Sequence, residues 1–192
     1  MENVERRDYY RLPDRIHTEY RVVSAAEMGR MPAGDHFELP RGFSLLRDLH
    51  QLNLEAREMV RELSERDLAV GNFLGNMNQR MELLAGAMID VDAHEVPPAG
   101  AELSEGGLNF MAPDLLAPDT LIALKMLFVP SCLGLTCHAV VRHARLDENS
   151  RDYRIGTQFL DMAPGDETLI ARHILRRQAD ERRERLRRER FE

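Results

Sequence analysis

The chain has 192 residues, 43% of them hydrophobic and 31% charged, with a formal net charge of −7. That length suits one domain with a large insertion, or a domain plus a helical module, and the acidic balance argues against a DNA or RNA binder, which needs a cationic footprint. No run of 18 apolar residues offers a membrane span, and the charged opening MENVERRDYY lacks the apolar core of a secretory leader, so a cytoplasmic protein is expected.

Residues 1–14 are polar and rich in Arg and Tyr. Within RRDYYR, Arg7 and Arg11 stand four apart, with Arg6 adjacent and Tyr9 and Tyr10 between. Two guanidiniums at this spacing can fork onto phosphate oxygens or onto the O6/N7 edge of guanine. Taken alone, the segment reads better as an ordinary solvated terminus. The stretch RIHTEYRVV (15–23) alternates, with Ile16, Thr18, Tyr20 and Val22 on one face and His17, Glu19 and Arg21 on the other, the pattern of a half-buried strand.

After the break MGRMPAGD, residues 43–89 contain no proline and repeat apolar residues every seven: Leu49, Ala56, Leu63, Val70, Met77, Leu84. A companion row carries Arg66 and Arg80, and Val60, Leu74, Met81 and Met88 fill the gaps. This predicts a long amphipathic helix with a coiled-coil-like seam, ~70 Å long if continuous. Gly71 and Gly75 in VGNFLGNMN permit either a turn between two helices or close helix–helix approach. Because the repeat keeps its phase through them, a continuous helix pairing with another copy is the expectation, with Arg66 and Arg80 as register devices. The alternatives are a hairpin, or a helix laid across the chain's own barrel.

Pro97 and Pro98 end this region. Strand-like runs then cover 101–111, 120–129, 134–146 and 152–161, separated by the turn sequences MAPD, VPSC and DENS. Short strands at regular spacing point to a small β-barrel. Cys132 and Cys137 lack zinc-site spacing, so no metal is expected and Cys137 reads as a small buried hydrophobe. From PGDET onward, Pro164, Asp166 and Glu167 open a last helix, whose mixed-charge tail suits i,i+4 ion pairs.

Within AELSEGGLNF (101–110), paired glycines imply a positive φ or a close backbone approach, and a bulge or turn at a strand edge accounts for them locally. No nucleophile elbow, metal cluster or GxxxxGK loop occurs, and no enzyme activity is expected.

The order of these features resembles the PilZ domain, the bacterial receptor module for the second messenger cyclic di-GMP: an RxxxR segment before an opening strand, an acidic-x-Ser-x-x-Gly turn, and a YRIGTQFLDM strand before a terminal helix. The resemblance covers residues 5–23 and roughly 100–175. It implies a mainly β fold with α: a six-stranded antiparallel PilZ-type β-barrel with a C-terminal helix, here carrying an inserted long amphipathic helix. The expected organisation is 1–35 for the arginine segment and first strand, 36–95 for a helical oligomerisation insertion, 96–163 for the rest of the barrel and 164–192 for the last helix. It further implies that Arg7 and Arg11 clamp the phosphates and guanine of cyclic di-GMP, that Ser104 meets the ligand edge, and that Gly107 admits its close approach. Glu102 stands where the family carries Asp or Asn, one methylene longer. The expected function is a non-enzymatic cyclic di-GMP effector that self-associates through residues 43–89 and signals to an unknown effector protein, with no further cofactor. The alternative is a degenerate PilZ protein that does not bind the nucleotide and serves as an oligomeric interaction module.

Overall fold

The computed structural model describes residues 12–89, 99–129, 133–148 and 150–189. Six strands form one closed antiparallel barrel: β1 (Leu12–Val22), β2 (Ala99–Ser104), β3 (Gly107–Ala112), β4 (Leu121–Val129), β5 (Leu133–Leu146) and β6 (Tyr153–Phe159), in the spatial order β1-β2-β3-β6-β5-β4. The expected run 101–111 is two strands, folded at Glu105–Gly106.

Alternation decides what faces inward. Leu12 and Ile16 of β1, Leu103 of β2, Leu108 and Phe110 of β3, Leu124, Met126 and Phe128 of β4, Leu135 and Cys137 of β5, and Ile155 of β6 fill the interior. Each such side chain contributes about 1.5–3 kcal/mol of burial. Helix α4 (Pro164–Arg188) adds Leu169, Ile170 and Ile174 to the same core. Closure falls to β1, which pairs with β2 at Leu12↔Leu103 and with β4 from Arg15↔Val129 to Val22↔Ile122.

Between β1 and β2 the chain forms a short helix, α1 (Ala25–Met28), held by a reciprocal capping box between Ser24 and Glu27, then a 3-10 turn at Ala33–His36. That turn is latched to β5 by a relay centred on the buried His138. Asp161 accepts from both the backbone N–H of His138 (2.7 Å) and its Nδ1 (2.6 Å). The other ring nitrogen of His138, Nε2, faces His36 Nε2 at 3.4 Å.

The expected continuous helix is two helices, α2 (Arg41–Arg66) and α3 (Leu68–Ile89). The break lies at Asp67 and not at the glycines. Asp67 adopts an extended conformation (φ −145°, ψ 104°), its N–H donates to the Leu63 carbonyl (2.8 Å), and its Oδ1 caps α3 by accepting from Ala69 N (2.8 Å) and Val70 N (3.2 Å). The chain turns back sharply here: a Cβ on Gly71 would lie 2.2 Å from Ser64 Oγ and 2.8 Å from Ser64 Cα. Ser64 tucks its hydroxyl onto the Val60 carbonyl (2.7 Å). Gly71 thus permits close helix–helix approach within one chain.

The root of this hairpin is fixed to the barrel by buried Phe43 and Leu46, with the Phe43 ring in the space a Cβ of Gly134 would occupy. Further out, Ala56, Val60, Ser64, Gly71 and Leu74 are at least partly buried, while Leu52, Met59, Leu63, Phe73, Met77, Met81 and Leu84 remain exposed. The heptad row is therefore split between the hairpin interior and its outer face. No described helix is long and apolar enough to cross a membrane.

Candidate ligand site

The acidic-x-Ser-x-x-Gly sequence is the β2–β3 corner, with Glu102↔Asn109, Leu103↔Leu108 and Ser104↔Gly107 in register. Leu103 and Leu108 point into the core, so by the two-residue period Glu102 and Asn109 stand together on the outer face. Neither Gly106 nor Gly107 has a positive φ. Of the two expectations for the glycine pair, the close approach holds at Gly107, where a Cβ would lie 2.1 Å from the Thr157 carbonyl oxygen. The approaching group is strand β6. Ser104 is buried, and its Oγ donates to the Gly107 carbonyl across the corner (3.1 Å). Both residues therefore have a role in the fold before any ligand is considered.

Glu102 sits between two donors. Its Oε2 accepts from Asn109 Nδ2 (2.8 Å), and its Oε1 pairs with Arg154 Nη1 (3.1 Å). Arg154 belongs to β6, so the pair reaches across β3. These groups line a cleft of about 220 Å³ with Pro13 and Asp14 of β1, Gly100 and Ala101 of β2, and Phe110 and Met111 of β3. Asn109 is only 6% exposed, and its Oδ1 has no hydrogen-bond partner among the described residues. Asn109 and Arg154 were not singled out in the sequence. The available signal was a polar residue inside the apolar run GLNF, and an Arg two residues before the glycine of YRIGT.

Asp14, buried at the cleft's inner edge, ties β1 to α4. Its carboxylate accepts from Arg15 N (2.8 Å), meets His173 Nε2 in a short contact, and lies 3.3 Å from Arg177 Nε. The His173 ring also packs against Phe128 at 4.8 Å. Arg7 and Arg11 lie outside the described residues. Their attachment point is Leu12, in register with Leu103, next to Ser104.

A second cleft, about 460 Å³, separates the root of α2 from the start of α4 and is lined by Phe43, Arg47, Gln51 and Asp166 among others. Burial raises the Asp166 carboxyl above its ordinary range, with Arg47 acting in the opposite direction. Burial likewise pushes the Cys137 thiol far up, with Asp161 and Asp166 adding to the effect. Cys132 lies outside the described residues. No group of three or more His, Cys, Asp or Glu side chains among the described residues is arranged to hold a metal ion.

Comparison with solved structures returns a Xanthomonas campestris pathogenic protein, described as a tetrameric PilZ domain self-assembled via a helical bundle. It aligns over 91% of both chains at 14% identity with a TM-score of 0.52, a likeness of fold. The inhibitor of motility from Bacillus subtilis aligns over 43% of this chain and 42% of its own at 22% identity, with a TM-score of 0.38. No curated protein matches. A sequence model of the PilZ domain matches residues 77–176, more than half of the chain. That segment supplies five of the six barrel strands and the first half of α4, and the sixth strand, β1, closes the barrel from outside it. The chain belongs to the PilZ domain family.

Proposed function

We propose that this protein is a cyclic di-GMP effector of the PilZ type that has no catalytic role and self-associates through its α2–α3 hairpin. In this reading Arg7 and Arg11 clamp the nucleotide's phosphates and guanine over the Glu102–Ser104–Gly107 corner, and the ordered segment alters a surface read by a partner protein. Because the messenger is cytoplasmic, so is the proposed site of action. The observation that supports this reading most directly is the Leu12↔Leu103 register, which attaches the arginine segment beside the corner that carries the other half of the motif. The hairpin does not separate the two halves at their point of attachment, because it leaves from the far end of β1. Self-association is supported by the many large apolar side chains that the two helices leave exposed, among them Leu52, Met59, Phe73 and Leu84.

Titration calorimetry with cyclic di-GMP tests the ligand. Micromolar binding that is lost in Arg7→Ala and Arg11→Ala supports the effector reading. Flat titrations of folded protein overturn it in favour of the second reading, an interaction module that does not bind the nucleotide. A specific observation favours that second reading: Ser104 and Gly107 are both engaged within the corner, so the motif is explained by folding alone.

A further inference from the structure

We propose that the base-reading contacts of this site belong to Asn109 and Arg154, and that Glu102 is a positioning residue behind them; this rests on the cyclic di-GMP reading. The two oxygens of Glu102 are each engaged, one by Asn109 Nδ2 and one by Arg154 Nη1. The first of these bonds fixes the Asn109 amide. Rotating it by half a turn would set its oxygen against a carboxylate, so Nδ2 faces Glu102 and Oδ1 faces away. That oxygen is the acceptor with no partner among the described residues, and it is closed off from solvent, on a residue only 6% exposed that lines the 220 Å³ cleft. An unsatisfied buried acceptor costs about 1–3 kcal/mol, and a ligand N–H that displaces its cover in the cleft wall would satisfy it. Arg154, half-exposed at the same cleft, spends one of its five N–H donors on Glu102 in the contacts described and presents a planar fork to acceptors.

A donor to Asn109 Oδ1 beside a pair of acceptors for Arg154 describes one base edge. Guanine offers N7 and O6 as adjacent acceptors, followed by N1–H as donor. Adenine places an amino donor where O6 would be, against the guanidinium. The cleft's volume suits a single planar base and not a whole dinucleotide. The extra methylene of Glu102 then has a purpose: from β2 it must span β3 to reach Arg154 on β6, about two strand spacings away.

Calorimetry on the full chain with cyclic di-GMP and cyclic di-AMP tests this, with thermal unfolding of each variant as the control for folding. The expected result is that Asn109→Ala and Arg154→Ala each weaken cyclic di-GMP binding about tenfold or more, and that Asn109→Ala also lowers the preference for guanine over adenine. Asn109→Ser and Arg154→Gln supply the same comparison if either alanine variant fails to fold. Glu102→Asp separates a positioning role from direct contact. It installs the family's residue but withdraws the carboxylate from Arg154, so binding and guanine preference should both fall. Unchanged or tighter binding in Glu102→Asp, or wild-type affinity in both Asn109→Ala and Arg154→Ala, overturns the assignment while leaving the effector reading intact. Absence of binding by the wild-type chain removes both.

Discussion

Gly107 and Thr157 are held in a contact no other residue could make: the Thr157 carbonyl oxygen stands 2.1 Å from the position of a Cβ on Gly107, and the Thr157 hydroxyl donates to the neighbouring Leu108 carbonyl at 2.8 Å. The last glycine of the motif is therefore a packing requirement of β3 against β6. Gly107→Ala should destabilise the protein by about 1–3 kcal/mol through overpacking against backbone, as measured by denaturant unfolding without nucleotide. Unfolding at the wild-type midpoint would show that the strands part at no cost.

The Ser64–Gly71 contact governs the hairpin in the same way. Gly71→Val should force α3 away from α2, costing about 1–3 kcal/mol and lengthening the particle in small-angle scattering. An unchanged maximum dimension would mean that the corner is set by Asp67 alone.

The apolar outer face of the hairpin makes a separable prediction. Phe73 is 61% exposed, and Met77 lies four residues on along the same helix, so Phe73→Asp with Met77→Asp should leave the monomer folded while abolishing the proposed self-association, as read by sedimentation. A mass equal to that of the wild type would place any self-association elsewhere.

Asp14 connects the cleft to α4 through His173 and Arg177. Removing one partner of such a buried cluster typically costs about 3–5 kcal/mol. Asp14→Ala should therefore lower stability on this scale and accelerate amide exchange along α4 more than along β4 or β5. Uniform exchange across the molecule would argue against local undocking.

The raised carboxyl of Asp166 predicts a pH dependence. A carboxyl whose folded pKa lies above its unfolded value favours folding most when protonated, and that contribution is lost as pH rises through the folded value. The stability of Asp166→Asn relative to wild type should therefore rise between acid and neutral pH in paired unfolding curves. A difference that is flat with pH, or that falls, would contradict the sign.

Much of the barrel was legible because its signal is local. The alternation of Ile16, Thr18 and Tyr20, or of Leu108 and Phe110 around Asn109, states which side faces the core without knowledge of partners. The C-terminal helix was equally plain from Pro164 and the acidic turn after it. The hairpin was misread because a one-residue break barely disturbs a seven-residue count, so the repeat runs on across Asp67. The sequence SERDLAV does carry a capping signal, an Asp ahead of an apolar run. The Glu102–Asn109–Arg154 cluster was hidden for another reason. Its members lie on three strands, and only the order β2-β3-β6 brings residue 154 to residue 102.

That strand order also assigns β1 the part of a keystone. It is the first strand in the chain, yet both of its neighbours are specified only after residues 23–98 have passed, so its backbone donors wait for partners of high sequence separation and should pair late and slowly. A fragment limited to residues 77–176 would leave the β2 and β4 edges open to foreign strands. An internal deletion that joins β1 to β2 through a short linker, with the hairpin excised, would shorten that wait and should fold faster than the natural chain.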